Sequence, residues 1–171
     1  DEYLEFFGKH STWFTEILNK RYSLSLDPDQ ILEFKRKRVQ EIFIAEPFTG
    51  AREFLEFWKE RKPMALASNS PRSFVEPALL EANLFDYFDC ITTPDEVARK
   101  KPHPDIILKT AEKLNVSPSK VLVFEDQLVG IESAQAAGAR VVAVDNNQPI
   151  NYPVDVAVHS WSSLLKLSEN D

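Results

Sequence analysis

Two adjacent carboxylates follow an apolar run in the second half of the chain. Glu125 and Asp126 come directly after Val121–Phe124, which has the composition of a buried strand. Neighbouring carboxylates repel one another and are poorly solvated at such a place, so they need a cation to remain ionised. Mg²⁺ is the natural candidate, because it prefers hard oxygen ligands and keeps positions for water and phosphate. The alternative, in which one carboxylate caps the next helix, explains one acidic residue but not both.

A lysine stands beside two prolines, just before the helix predicted from Ile106. Lys101 precedes Pro102, and Pro104 follows soon after, so the backbone around the lysine has little conformational freedom. A cation held in this way suits phosphoryl chemistry, in which positioned groups must balance the charge of the transferring group. The alternative is a solvated loop in which Asp105 caps the helix and the lysine has no chemical role.

A third polar segment follows the apolar run Met64–Ala67. Ser68 and Asn69 come first, and Ser70 and Pro71 then suit the start of a helix. The free backbone amides of a helix start, together with the Ser68 hydroxyl, would bind a phosphate oxygen. The alternative is that Ser70 merely caps the helix. Taken alone, this segment favours the capping interpretation, because serine is a common capping residue.

The elements that must position these residues alternate along the chain. Stretches with helical spacing separate five apolar, β-rich runs, which are Met64–Ala67, Phe88–Ile91, Val121–Phe124, Val141–Val144 and Val154–Val158. Strands that alternate with helices predict βαβ units and a doubly wound α/β fold, with a parallel sheet covered on both faces. Because ligands bind beyond the carboxyl ends of parallel strands, the three polar segments are predicted to line one cleft.

The beginning of the chain has a different texture. Apolar residues recur at helical spacing over Phe14–Leu18, and residues 31–44 mix apolar and basic residues in a pattern typical of an exposed helix. Asp27 and the proline after it separate the two stretches, and the aspartate is well placed to cap the second helix. The sequence therefore predicts a helical region over residues 1–46 and an α/β core over residues 47–171.

The composition argues against several classes of partner. The chain has 20 basic and 27 acidic residues and a net charge of −7, whereas a nucleic-acid partner would need a basic face. Cys90 is the only cysteine, so no disulfide within the chain and no cysteine-built metal site is expected. No apolar run approaches the length of a membrane span. We therefore expect a cytoplasmic protein without nucleic-acid or membrane partners, whose oligomeric state the sequence does not determine.

In combination, these motifs resemble the haloacid dehalogenase superfamily. The resemblance is carried by Ser68, by Lys101 with its proline, and by Glu125-Asp126 ahead of Gly130 and an Ala-Gly-Ala turn. Their order and spacing match three of the four motifs of the superfamily, most closely in the branch of phosphoglycolate phosphatases and beta-phosphoglucomutases. The resemblance implies a Rossmann-like core and a helical cap. Residues 1–46 would be part of that cap.

The resemblance also implies a role for each motif. Ser68 would donate a hydrogen bond to the transferring phosphoryl group, with Asn69 beside it as a substrate contact. Lys101 would balance the charge of that group and of an aspartyl nucleophile. Asp126 would coordinate Mg²⁺, and Glu125 would be a second ligand or an outer partner of the metal.

A loop near the start of the chain resembles the cap loop that faces the active site in this branch. It consists of Gly8, Lys9, His10 and Ser11. These four residues are therefore predicted to bind the substrate and to select it.

The first motif of the superfamily is not found in the sequence. That motif is an apolar strand ending in Asp-x-Asp-Gly-Thr, whose first aspartate attacks phosphorus and whose second acts as acid and base. Asp27 and Asp29 have the acidic spacing without the Gly-Thr, and two asparagines follow Asp145. Since the superfamily places this motif before the cap, we expect it in a segment that precedes residue 1, together with the first strand and helix of the core.

The expected activity is Mg²⁺-dependent hydrolysis of a small phosphorylated metabolite through an aspartyl-phosphate intermediate. Two alternatives stay open. A sugar phosphomutase of the beta-phosphoglucomutase type would use the same intermediate and return the phosphoryl group to the sugar. A catalytically inactive relative would bind a phosphometabolite or a protein partner, and a true absence of the first motif would favour it. The sequence does not determine the substrate.

Overall fold

The computed structural model describes residues 11–145, 154 and 156–168. Its chain divides into two compact units, Asp1–Ile44 and Ala45–Asp171. The described part of the first unit is helical, and the second unit contains every described strand. The division falls two residues before the change in sequence texture at residue 46.

Two helices make up the described part of the first unit, α1 (Ser11–Tyr22) and α2 (Pro28–Ile42). Asn19 holds the turn between them, because its Nδ2 donates to the carbonyl of Leu26 at 2.8 Å and its Oδ1 accepts from the Leu26 amide at 2.8 Å. Asp27 Oδ1 accepts a hydrogen bond at 2.8 Å from an amide in the first turn of α2. The predicted aspartate cap is therefore confirmed.

The second unit alternates helices and strands in the order that the sequence predicts. The described helices are α3 (Ala51–Trp58), α4 (Arg72–Glu81), α5 (Asp105–Lys113), α6 (Leu128–Ala136) and α7 (Trp161–Ser168). The described strands are β1 (Ala65–Ala67), β2 (Cys90–Thr92), β3 (Leu122–Glu125), β4 (Arg140–Val144) and β5 (Ala157–Val158). Every predicted apolar run overlaps one of these strands.

All pairs among the described strands are parallel. β1 pairs with β2 in one sheet, and β3, β4 and β5 pair in that order in a second sheet. Parallel strands joined through helices confirm the predicted α/β class. The polar segments that follow β1 and β3 leave their strands at the carboxyl ends, which is where sheets of this kind bind ligands.

Strand β4 and helix α5 both contribute fully buried residues to the core. Residues 141–144 of β4 are at most 9% exposed, as a parallel strand covered on both faces requires. On α5, Ile106, Ile107 and Ala111 are at most 3% exposed. Because α5 is anchored in the core, the segment that carries Lys101 is fixed at its C-terminal end.

The single cysteine lies in the second unit. Cys90 lies in β2, and burial raises the pKa of its thiol, so it is less ionised than an ordinary cysteine. Within the described ranges, no helix has both the length and the apolar character that crossing a bilayer requires.

Candidate active site

The loops after β1 and β3 and the loop before α5 are linked by side-chain contacts. Lys101 Nζ lies 2.6 Å from Glu125 Oε2, and the Asn69 side chain bonds the backbone of Lys101. Ser68 is the neighbour of Asn69, and Asp126 is the neighbour of Glu125. The structure thus brings together the three polar segments, as the parallel topology predicts.

The Lys101 side chain is buried rather than solvated. It is 9% exposed, and the Glu125 side chain with which it pairs is 13% exposed. The peptide bond between Lys101 and Pro102 is cis. Asp105, the alternative capping residue, instead pairs with Arg99 at 2.8 Å, and α5 has no side-chain cap. The solvated-loop interpretation is therefore wrong for this lysine.

Glu125 is held through both of its carboxylate oxygens. Oε2 binds Lys101, and Oε1 accepts from the amides of Asp126 and Gln127, each at 3.2 Å. A Cβ atom at Gly130 would overlap the Glu125 carboxyl group, so the observed position of the Glu125 side chain requires glycine at residue 130. The Asp126 and Gln127 amides both precede α6, which has Gln127 at its N-cap position and no side-chain cap, so the alternative in which one of the two carboxylates caps the helix is wrong.

Asp126 is in a different electrostatic position from Glu125. Although it retains access to solvent, burial raises the pKa of its carboxyl group, and hydrogen bonding with Glu125 and the charge of that neighbour raise it further. Lys101 opposes this shift only weakly. The Asp126 carboxyl group therefore lies in a negative environment, which a bound cation would relieve.

These two carboxylates fit Mg²⁺ as a partial set of ligands. Mg²⁺ is usually bound by one or two carboxylates together with waters and substrate phosphate. In the described part of the chain, no group of three or more His, Cys, Asp or Glu side chains is placed to hold a metal. Since both Glu125 oxygens are already engaged, the geometry favours Asp126 as the direct ligand and Glu125 as its outer partner.

Ser68 lies directly after β1 and extends its ladder, because its amide donates to the carbonyl of Thr92 at 3.0 Å. Its Oγ accepts from the amide of Ser70 at 3.0 Å, which leaves the hydroxyl hydrogen as a donor. Helix α4 begins at Arg72, with Pro71 at the N-cap position and no side-chain cap. The alternative in which Ser70 caps the helix is therefore wrong.

The predicted free amides at the start of α4 are partly occupied. The Arg72 amide donates to Asp95 Oδ2 at 2.9 Å, and this hydrogen bond is the main reason that the pKa of Asp95 is lowered. The chain thus supplies its own carboxylate to this helix start. The Ser68 hydroxyl and the Lys101 ammonium stay predicted anion-binding groups.

Two supporting contacts were not foreseen from the sequence. Asn69 was predicted to contact substrate, yet its Oδ1 accepts from the Lys101 amide at 2.9 Å and its Nδ2 donates to the Lys101 carbonyl at 3.1 Å. Ser133, which is fully buried on α6, donates from Oγ to the carbonyl of His103 at 2.7 Å. A serine on an otherwise apolar helix face was the only sequence signal for this second contact.

The predicted cap loop cannot be placed against this site. Gly8, Lys9 and His10 lie outside the residues that the structure describes, and Ser11 is described only by its backbone, as the first residue of α1. Their role in substrate selection stays a prediction.

Comparison with known proteins identifies the family. The family model for haloacid dehalogenase-like hydrolases matches residues 3–138. A phosphorylated carbohydrates phosphatase of Thermotoga maritima is 38% identical over 124 residues, which cover 72% of this chain and 56% of that protein. The fructose-1-phosphate phosphatase YqaB of Escherichia coli is 34% identical over 121 residues, covering 70% and 64%. The chain thus spans about three fifths of the length of these relatives.

Solved structures agree with the sequence relatives. A Thermotoga maritima protein that carries the provisional name beta-phosphoglucomutase matches with a TM-score of 0.82 and 27% identity, covering 99% of this chain and 82% of that one. The branch of phosphoglycolate phosphatases and beta-phosphoglucomutases that the motifs predict is confirmed. With its parallel α/β core and with the family model matched over most of its length, the chain belongs to the haloacid dehalogenase-like hydrolases.

Proposed function

We propose that the protein is a Mg²⁺-dependent phosphatase that hydrolyses a small phosphorylated metabolite through an aspartyl-phosphate intermediate. The observation that carries this proposal is the 2.6 Å ion pair between Lys101 and Glu125, shielded from solvent beside Asp126. The pair holds one ammonium group in place, next to a second carboxylate whose pKa is raised by burial and by Glu125. A divalent cation and a phosphoryl group together complete such an arrangement.

Each side chain has a distinct part in the proposed reaction. The Ser68 hydroxyl donates a hydrogen bond to a phosphoryl oxygen, and the Lys101 ammonium balances negative charge as the phosphoryl group is transferred. Glu125 keeps the ammonium in position. The Asp126 carboxylate would hold Mg²⁺, which when bound supplies charge neutralisation between the phosphoryl group and the attacking carboxylate.

The attacking aspartate is proposed to lie in a segment outside the 171 residues, because the sequence has no Asp-x-Asp-Gly-Thr motif. The two related phosphatases have residues without a counterpart here, which leaves room for such a segment. Attack of the aspartate on phosphorus forms a phosphoaspartate and breaks the bond to the substrate oxygen, which leaves as an alcohol with a proton from the second aspartate of that motif. This second aspartate regains a proton from the water of the next step. Water then cleaves the phosphoaspartate, so inorganic phosphate leaves and the carboxylate is restored.

The substrate class is proposed from the relatives and from the first unit. Two of the relatives are named for phosphorylated carbohydrates and fructose 1-phosphate, so sugar phosphates are the first compounds to test. Residues 1–46 are proposed to be part of a cap that selects among them, with Lys9 and His10 in contact with the substrate. If Lys9→Ala lowered turnover equally on every sugar phosphate, this selecting role would be wrong.

The test is phosphate release by the full-length protein. We expect release from sugar phosphates that depends on Mg²⁺ and stops with EDTA. Lys101→Met should lower turnover by roughly 100-fold or more, since it removes one positioned charge from the transition state. Lys100→Met is the matched control, because the neighbouring Lys100 is exposed. Equal turnover in the two variants would contradict the proposal.

A phosphomutase is the second candidate, because one similar structure carries the name beta-phosphoglucomutase. Phosphorus NMR separates the two activities on an aldose 1-phosphate. A phosphatase produces the signal of free phosphate, whereas a mutase produces a second sugar phosphate with little free phosphate.

A further inference from the structure

We propose that Asn69 is a positioning residue that fixes Lys101 through its backbone, an inference that rests on the function proposed above. The Asn69 side chain crosses from the loop after β1 to the loop before α5. Its Oδ1 accepts from the Lys101 amide at 2.9 Å, and its Nδ2 donates to the Lys101 carbonyl at 3.1 Å. Oxygen and nitrogen are thus both directed at one residue that lies 32 positions along the chain.

These contacts fix the backbone of Lys101, whereas its charge lies at the far end of the side chain. Asn69 bonds the backbone, and Glu125 binds the ammonium group at 2.6 Å. The same loop is tied to α6, where the buried Ser133 hydroxyl donates to the His103 carbonyl at 2.7 Å. A lysine side chain is a flexible four-carbon stem, so it places its charge accurately only when its backbone and its ammonium group are both fixed.

Asn69 also connects two groups that are proposed to bind the phosphoryl group. It follows Ser68 directly, so the serine hydroxyl and the lysine backbone are joined through a single residue. Misplacing a catalytic group by about 1 Å can cost roughly 100-fold in rate. In the proposed reaction, the attraction between the Lys101 ammonium and the phosphoryl group strengthens as charge develops in the transition state. Misplacement of Lys101 should therefore lower kcat more than it raises KM.

A double-mutant cycle in the full-length protein tests this role. We expect Asn69→Ala to lower kcat about 10-fold to 100-fold, while KM changes less than about 3-fold. In a Lys101→Met background the same change should have little further effect on kcat, because the group that Asn69 positions is gone. Additive losses would overturn the proposal, because they would show that Asn69 acts independently of Lys101. A raised KM with an unchanged kcat would overturn it as well, because it would indicate direct binding of substrate.

Asn69→Asp is the second variant, because it has the same shape and keeps an acceptor for the Lys101 amide. It replaces the donor by an oxygen that faces the Lys101 carbonyl, so we expect kcat to fall at least as far as in Asn69→Ala. If Asn69→Ala does not fold, the cycle is completed with Asn69→Asp.

Full activity of Lys101→Met would overturn the proposed function. Loss in Lys101→Met together with normal kcat in both Asn69 variants would overturn the positioning role alone.

Discussion

Two clusters of lysine and carboxylate groups in the second unit are built from the same residue types and balanced in different ways. In the Glu96 cluster, which comprises Arg72, Glu96 and Lys113, two cations surround the Glu96 carboxylate at 2.5 and 2.6 Å. In the Asp126 cluster, which comprises Lys101, Glu125 and Asp126, the one ammonium group pairs with Glu125 at 2.6 Å, and Asp126 is the next residue. Glu76 also pairs with Arg72 at 2.6 Å, so two cations meet two carboxylates around the first cluster, whereas one ammonium group meets two adjacent carboxylates in the second.

The pKa values follow this difference. A hydrogen bond from Lys113, helped by Arg72 and by the Thr93 amide, lowers the pKa of Glu96 from 4.5 to about 2. Burial and Glu125 raise the pKa of Asp126 instead. A carboxylate whose pKa is lowered by cations is typical of a structural ion pair, and one whose pKa is raised by burial and a like charge is typical of a functional site. We therefore predict that the Glu96 cluster serves stability and that the Asp126 cluster serves the proposed reaction.

The largest expected effect comes from Asp126→Asn, which keeps the size of the side chain and removes one charge. Mg²⁺ dehydrates reluctantly and depends on carboxylate charge, so we expect phosphatase activity of the full-length protein to fall at least roughly 100-fold. Folding should survive, because the repulsion with Glu125 is relieved. Turnover is measured against Mg²⁺ concentration beside a thermal unfolding curve. Near-normal turnover with unchanged Mg²⁺ dependence would remove Asp126 from the mechanism.

A smaller effect on turnover is expected from Gly130→Ala, which acts on the same cluster through packing. The new methyl group overlaps the Glu125 carboxyl group and forces it away from Lys101, so we expect turnover to fall about 10-fold. Stability should change little, because alanine gains roughly 0.5–1 kcal/mol over glycine inside a helix and this offsets the weakened ion pair.

Gly138→Ala is the matched control for that change. Gly138 has a φ of +75° with nothing near its missing side chain, so alanine there costs roughly 1 kcal/mol of stability through backbone strain and leaves Glu125 untouched. Turnover and urea unfolding are measured for both variants. Equal losses of turnover in the two would show that glycine at residue 130 has no special relation to Glu125.

The smallest effect on turnover is expected from Glu96→Gln, which alters the other cluster. We expect turnover within about 2-fold of the wild type and a loss of stability on the order of 2 kcal/mol near neutral pH, since Lys113 loses its carboxylate partner and Arg72 keeps only Glu76. A large loss of turnover with normal stability would reverse the roles predicted for the two clusters.

The pH dependence of that stability gives a second readout. The pKa of Glu96 in the folded chain, about 2, lies below its ordinary value of 4.5. Its contribution is therefore complete above pH 4.5 and is lost as the pH falls from there towards 2. Urea unfolding at several pH values should show wild type and Glu96→Gln converging over this interval. A constant difference between them would contradict the shift.

The sequence by itself determined the order of strands and helices in the second unit and the candidate residues at the strand ends. Apolar runs and helical spacing depend on neighbours along the chain, so β1 to β5 could be predicted within a few residues. The pairing of Glu125 with Asp126 was equally visible, because the two are adjacent. Parallel topology then predicted that the polar segments would meet.

Only the tertiary structure decided which partner each of these side chains has. Lys101 reaches Glu125 across 24 residues and Asn69 reaches Lys101 across 32, distances over which no sequence period carries information. The different charge balance of the two clusters has the same origin. It depends on the packing of α4 and α5 around Glu96 and on the absence of a side chain at Gly130, which leaves room for the Glu125 carboxyl group beside Lys101.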